Sequence, residues 1–258
     1  MSSILFSIEN DIAILTLNRP ERLNSFNREM ALSLQRLLDE CAASPAVRAV
    51  YITGAGKGFS AGQDLSEITD PEGPGMVSIL HEHYNPIVTR IRALPKPVIA
   101  AVNGVAAGAG ANIALCCDVI LAASSSVFIQ AFSRIGLIPD SGGTFLLPRL
   151  IGWQKASALM MLGDKLSAAE AERWGLLYKV YPDEIFGVET MKIAKTLAGM
   201  PTKSLAYTKR ALNASFTNSF EQQLQEEDRL QYAASHTDDF REGVAAFLEK
   251  RAPVFKGE

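Results

Sequence analysis

Apolar residues alternate or run together over residues 4–8 and 12–17, on either side of the polar triplet Glu9-Asn10-Asp11. That pattern predicts two strands joined by a tight turn, so a hairpin opens the fold. From Asn27, a side chain suited to cap a helix, Met30, Leu34, Leu37, Leu38 and Cys41 recur at helical spacing, and residues 49–53 follow as a short buried strand. Residues 70–75 gather proline, glycine and acidic side chains, which predicts a mobile loop, before helical spacing resumes through Ile79, Ile87, Ile91 and Leu94 up to Pro95. An apolar run at 98–102, a glycine- and alanine-rich stretch entering a helix through Cys117, and a second run at 119–122 predict a strand–helix–strand unit of parallel type. Ser167 and Glu170 have capping-box spacing, with Gly175 placed to stop that short helix. After a last strand pattern at 176–180, residues 184–199, 202–214, 217–234 and 238–250 all carry helical spacing. The chain therefore reads as α/β, with a core over residues 1–200 and a helical region over 201–258. No internal repeat or low-complexity tract is visible in the sequence.

Composition narrows this picture. A chain of 258 residues that is 48% hydrophobic and 21% charged can bury about three quarters of its unfolded surface. Lys and Arg are dispersed and the net charge is −3, which argues against a nucleic-acid partner. No apolar run approaches the roughly 20 residues needed to span a bilayer, and no leader pattern opens the chain, so a cytoplasmic protein without membrane contact is expected. Cys41, Cys116 and Cys117 suit neither a disulfide framework nor a zinc site. His81 and His83 fall two apart on a predicted helix and so face different directions, and His236 is distant, so no metal site is expected.

Two segments have the composition for chemistry. GAGKGFSAGQDL (54–65) is a glycine-dense loop leaving a strand, and NGVAAGAGAN (103–112) joins a strand to a helix through residues so small that a ligand could lie against the main chain. Both can aim backbone amides at an oxygen, and the second ends in a helix N-terminus that favours developing negative charge. Neither has the spacing of a phosphate loop or a dinucleotide fingerprint, so ATP and NAD are not supported and no cofactor is expected.

Taken in order, NRPERLNSF (18–26), GFSAGQDL (58–65), PKPVIAAVNGVAAGAG (95–110) and GLIPDSGGT (136–144) resemble the crotonase, or enoyl-CoA hydratase/isomerase, superfamily along essentially the whole chain. The resemblance implies a ClpP/crotonase-like spiral core of repeated ββα units. It implies an acyl-CoA thioester as partner, coenzyme A being part of the substrate. It also implies that the amides of Gln63 and Ala109 grip the thioester oxygen, that Leu23, Ala61, Asp64 and Leu65 line the bent coenzyme A, and that Phe247 and Lys250 lie near the nucleotide. Removing a proton α to a thioester puts charge on that oxygen, and one donor already in place is worth about 3 kcal/mol.

Hydratases of the family carry two glutamates where this chain has Asn112 and Phe132. Asp140 in GLIPDSGGT resembles the lone carboxylate of family isomerases, with Ile135, Leu137 and Ile138 expected to raise its proton affinity. The competing reading makes Asp140 a turn residue bonding its own backbone. End to end, the phrases resemble the isomerases of aerobic phenylacetate degradation, which implies conversion of a ring 1,2-epoxide thioester to an oxepin and of 3-enoyl to 2-enoyl thioesters. A hydratase, and a noncatalytic acyl-CoA- or RNA-binding relative, are the alternatives. Family analogy further implies a homotrimer or a dimer of trimers. Tyr84 and Asn85 read as packing residues outside the site.

Overall fold

Asn10 and Asp11 both adopt positive φ, 50° and 63°, as a two-residue turn matched to strand twist demands. They join β1 (Ile4–Glu9) to β2 (Ile12–Leu17) as the expected antiparallel hairpin. The computed structural model describes residues 2–258. After a short 3₁₀ turn at Pro20–Arg22 comes α1 (Arg28–Ala43), whose first turn is capped by Asn27 accepting from Met30 N at 3.0 Å. Then follow β3 (Ala49–Gly54), β4 (Gly58–Ser60), α2 (Leu65–Thr69), α3 (Gly75–Ser78), a π-helical turn at Ile79–Tyr84 and α4 (Asn85–Ala93). The central part comprises β5 (Val98–Val102), β6 (Val105–Ala107), α5 (Ala109–Leu115), β7 (Val119–Ala123), β8 (Val127–Ile129), a 3₁₀ segment at Ala131–Ile135, α6 (Gly143–Ile151) and α7 (Trp153–Leu162). The chain closes with β9 (Lys165–Ser167), α8 (Ala168–Arg173), β10 (Lys179–Tyr181), α9 (Phe186–Ala198), α10 (Thr202–Ser215), α11 (Phe220–Ser235) and α12 (Asp238–Glu249).

The strands form two sheets, ordered β1-β2-β3-β5-β7-β10 and β4-β6-β8-β9. Pairing is parallel throughout except at β1–β2 and β8–β9. In each of the pairs β3–β4, β5–β6 and β7–β8, the first strand enters the large sheet and the second the small one before a helical segment follows. This is the repeated ββα unit that the family resemblance implies, present in the backbone although the sequence carries no repeat. The small sheet corrects the plain strand–helix–strand reading of residues 98–122, because β6 intervenes. Its strands are three residues each, too short for period-2 alternation to declare itself.

Parallel strands covered on both faces are apolar throughout, and here the two faces serve different layers. Val50, Ile52, Val98, Ala100 and Val102 point into the main core with α1 and α4, whereas Ala49, Tyr51, Ile99, Ala101 and Leu121 point to the layer under α9. The Tyr51 hydroxyl, buried in that second layer, meets Thr190 Oγ1 of α9 at 2.8 Å. α10 is clamped to the core by buried Lys209, whose Nζ donates to Asp118 Oδ2 at 2.8 Å and to the Ile91 carbonyl at 2.6 Å. α11 starts at Phe220, later than the spacing implied, because Ser219 and Gln222 form a reciprocal capping box. A groove of about 930 Å³ runs between α10, α11 and α12, with Tyr207, Leu212, Phe240, Val244, Phe247 and Leu248 among its walls. Among the described residues no helix is long and apolar enough to cross a membrane.

Candidate active site

The loop after β4 and the start of α5 meet at a glycine. Gly62 has φ +90°, and a Cβ there would stand 2.8 Å from the Ala107 carbonyl and 3.4 Å from Ala109 N. Only glycine allows that approach. The loop is held from outside by a parallel bridge between Phe26 and Gln63, in which Phe26 N donates to the Gly62 carbonyl at 2.7 Å and Asp64 N donates to the Phe26 carbonyl at 2.8 Å. In such a bridge the N–H of the intervening residue points away from the partner strand, so the Gln63 N–H is directed away from Phe26. Ala109 opens α5. The first intrahelical bond runs from Asn112 N to the Gly108 carbonyl, leaving the Ala109 N–H among the amides without a helical acceptor. The loop that carries Gln63 and the start of α5 that carries Ala109 thus lie side by side at Gly62.

Side chains behind the loop keep it in place. Asn24, fully buried at φ +55°, donates to the Ala55 and Gly58 carbonyls at 2.9 and 2.7 Å and accepts from Arg19 N at 2.8 Å. Ser60 Oγ donates to the Asn24 carbonyl at 2.8 Å and accepts from Gly62 N at 3.2 Å. Gly110 lies flush against Ser60, where an added Cβ would come within 2.6 Å of its carbonyl oxygen. Asp64 is engaged on both oxygens, by Arg19 at 2.9 Å and by the amide and hydroxyl of Ser66 at 3.1 and 2.7 Å. Burial alone would push its carboxyl up, but Ser66 and Arg19 outweigh burial and hold it low. Its side chain is therefore spent on holding the loop. Leu23 and Leu65 are exposed at 39% and 52%, and Ala61 is tied to Leu23 by an N–H···O bond of 2.9 Å.

Asp140 stands in a turn followed by Ser141 at φ +52° and Gly142 at φ +78°. One carboxylate oxygen accepts from Ser141 Oγ at 2.7 Å, and its carbonyl accepts from Gly143 N at 2.8 Å. The carboxyl is pushed above its ordinary range, chiefly by burial, with the Ser141 hydroxyl pulling the other way. The direction agrees with the sequence reading, but the stated cause does not. Ile135 and Ile138 are 55% and 80% exposed and cannot supply an apolar wall. What ties the Asp140 turn to α5 is Asn112, one turn along that helix from Ala109. Fully buried, it donates from Nδ2 to the Asp140 carbonyl at 2.8 Å and accepts from Gln130 Nε2 at 2.8 Å. Phe132 places its ring 3.7 Å from where a Gly108 Cβ would stand, so the other hydratase glutamate position holds a phenyl ring.

Tyr84, read from the sequence as a packing residue, is buried and also bonded to the loop. It is 1% exposed, and its hydroxyl donates to Gln63 Oε1 at 2.8 Å. Its proton is held firmly, by burial first and then by the negative field of Asp140, Glu67 and Asp64. The missed signal is the π-helical turn, which sequence spacing does not reveal. Phe247 and Lys250 are not brought to the loops within the chain. Phe247 is 82% exposed beside the C-terminal groove, and Lys250 caps α12 at φ +55°.

Comparison with known proteins fits this geometry. The sequence profile of the enoyl-CoA hydratase/isomerase family matches residues 7–258. The chain is 48% identical to the 1,2-epoxyphenylacetyl-CoA isomerase of Escherichia coli strain K12 over the whole of both chains. It is 44% identical to a Rhodobacter capsulatus protein named "Probable enoyl-CoA hydratase", over 99% of this chain and 98% of that one. The solved enoyl-CoA hydratase of Bacillus anthracis superposes with a TM-score of 0.92 at 34% identity, over 99% of this chain and all of that one.

Proposed function

This chain belongs to the enoyl-CoA hydratase/isomerase family, and we propose that within it the protein is an isomerase of acyl-CoA thioesters in aerobic phenylacetate catabolism. Its principal substrate would be ring 1,2-epoxyphenylacetyl-CoA, taken to the oxepin thioester, with 3-enoyl thioesters converted to 2-enoyl ones by the same chemistry. The observation that carries this reading is the lone available carboxylate. Asp64 is bound by Arg19 and Ser66, Glu67 by Arg28 N and Gln63, and the residue at one hydratase glutamate position, Asn112, holds the Asp140 turn through its amide. Asp140 is bonded by Ser141 on one oxygen, leaving the other for proton transfer.

In this mechanism the Asp140 carboxylate takes a proton from the carbon α to the thioester. The electron pair moves onto the carbonyl oxygen, where the Gln63 and Ala109 amides stabilise the enolate. The same carboxyl, now protonated, returns the proton at the far end of the conjugated system, so no activated water is needed. With the ring epoxide, the carbon–carbon bond shared by the two rings also opens electrocyclically, its electron pair passing into the new double bonds of the seven-membered ring, so atoms and electrons balance within the substrate. Similarity to the E. coli isomerase over full length supports the choice of substrate. Leu23, Ala61, Leu65 and the Asp64 backbone would line the pantetheine arm. Phe247 and Lys250 would approach the nucleotide from a neighbouring copy, in a homotrimer or dimer of trimers that mass in solution tests. A cytoplasmic location completes the proposal.

The test compares purified protein on 3-hexenoyl-CoA and crotonyl-CoA, followed by the absorbance of the conjugated enoyl thioester, and then on the ring epoxide. Absorbance rising from the first and unchanged with the second is the expected result. Rapid hydration of crotonyl-CoA would replace the isomerase with the hydratase reading.

A further inference from the structure

Gln63 enters the oxyanion site through its main chain, yet its side chain is one of the most heavily bonded in the region. Oε1 accepts from the Tyr84 hydroxyl at 2.8 Å, while Nε2 donates to Glu67 Oε2 at 3.0 Å and to the Asp64 carbonyl at 3.2 Å. Glu67 is itself fixed through its other oxygen, which accepts from Arg28 N at the start of α1 at 2.7 Å. Both donors and one acceptor position of the primary amide are thus occupied. The bridge to Phe26 constrains the peptides on either side of Gln63, and the side-chain amide adds an anchor to the residue itself.

We propose that Tyr84 is a positioning residue for the oxyanion hole, fixing through the Gln63 side chain the peptide whose N–H meets the thioester oxygen. This rests on the reading of Gln63 and Ala109 as the oxyanion donors. Packing alone does not account for a tyrosine here. Its ring sits edge-on to Phe26, with centroids 6.0 Å apart, and phenylalanine would fill that space equally well. The hydroxyl is the distinguishing group, and its hydrogen bond goes to Gln63. With the phenol held protonated by its burial and by the surrounding carboxylates, it remains a donor across the working pH range.

The π-helical turn delivers this contact. Asn85 N donates to the Leu80 carbonyl, an i→i+5 bond, and both His83 and Tyr84 turn inward, at 0% and 1% exposure. Single π turns of this kind are frequent at functional sites. The consequence is a mechanical link from the π-helical turn that follows α2 and α3 to the strength of the oxyanion contact. Preorganised donors lose much of their effect when misplaced by about 1 Å.

The experiment uses Tyr84→Phe, Gln63→Met, which keeps the backbone amide but removes the side-chain amide, and the double variant. Each is bound to hexanoyl-CoA carrying ¹³C at the thioester carbonyl. In the wild type the ¹³C=O infrared band should lie at lower wavenumber than in free solution. In Tyr84→Phe it should move part of the way back, with kcat on 3-hexenoyl-CoA falling roughly tenfold for one lost neutral hydrogen bond and KM unchanged within about twofold. Gln63→Met should behave alike, and the double variant should be no worse than either single one. A wild-type band position in Tyr84→Phe, or additive losses in the double variant, would overturn the proposal. An unshifted band in the wild type itself would overturn it too, but by removing the oxyanion reading beneath it.

Discussion

An Asp140→Asn substitution exchanges one carboxylate oxygen for an amide nitrogen and leaves the shape of the turn intact. The main-chain bonds that place residue 140, from Asn112 Nδ2 and Gly143 N to its carbonyl, are each 2.8 Å and do not involve the side chain. The remaining side-chain oxygen still accepts from Ser141 Oγ, so no bond worth about 1 kcal/mol need be lost. The charge is lost, and its sign in stability can be worked out. Burial raises the carboxyl above its unfolded value, which is about 3.9. The favourable term is therefore fully present below the unfolded pKa and disappears as pH rises through the folded one. At pH 7 the wild type carries a buried carboxylate that the variant does not. The variant should melt at the same temperature or higher at pH 7, with the difference shrinking as pH falls toward 4. Activity should move the other way, by about 10²–10⁴ for a lost general base, or roughly 3–5 kcal/mol on the barrier. In the wild type, kcat/KM should rise with pH through the raised carboxyl pKa, above the ordinary carboxylate range. The assays are thermal denaturation from pH 4 to 8 and conjugation of 3-hexenoyl-CoA. If activity survives, or falls only in proportion to lost stability, Asp140 is a turn residue and the acid/base assignment is wrong.

Three further substitutions probe the supports of the site. Asn112→Leu removes the donor to the Asp140 turn and strands the buried Gln130 amide, whose Oε1 already has no partner; a loss of about 1–3 kcal/mol is expected in urea unfolding, together with a fall in kcat. Gly110→Ala forces a Cβ within 2.6 Å of the Ser60 carbonyl, which should cost about 1–3 kcal/mol and part the two amide-bearing loops; a wild-type Tm and kcat would contradict the close packing. Asn24→Ala removes three hydrogen bonds of 2.7–2.9 Å at a left-handed position, and a loss of about 3 kcal/mol should appear in the denaturation midpoint.

The parts of the fold that sequence spacing announces are those where one face is buried over several turns or a full strand. The second strand of the hairpin, α1, β3, β5 and β7 are of this kind, and the apolar positions that set their pattern are buried or half-buried, whereas β1 leaves Leu5 and Ile8 exposed. The small sheet escapes because three residues cannot display a period. The motif that singled out Gln63 and Ala109 as candidate donors is built on glycines whose need becomes visible only in the contacts of Gly62 and Gly110. Asn112 was placed by alignment but given no role, since its partners, Gln130 and the Asp140 carbonyl, lie 18 and 28 residues away. Tyr84 is buried as a packing residue should be, but its hydrogen bond to Gln63 was not legible, because spacing does not reveal the π turn that carries it.

The order of strands in the two sheets has a consequence for how the chain is made. Both sheets rank their strands in sequence order, β1-β2-β3-β5-β7-β10 and β4-β6-β8-β9. As the polypeptide leaves the ribosome N-terminus first, each new strand finds its partner already formed and joins a free edge. The parallel pairings up to β7 and β8 each close a loop of one unit, which limits the entropy lost at each step, and only β10 returns over a longer stretch, residues 124–178, to pair with β7. Growth is one-directional, the amides of Gln63 and Ala109 and the Asp140 turn are all synthesised before β9, and no strand has to be inserted between two that are already joined.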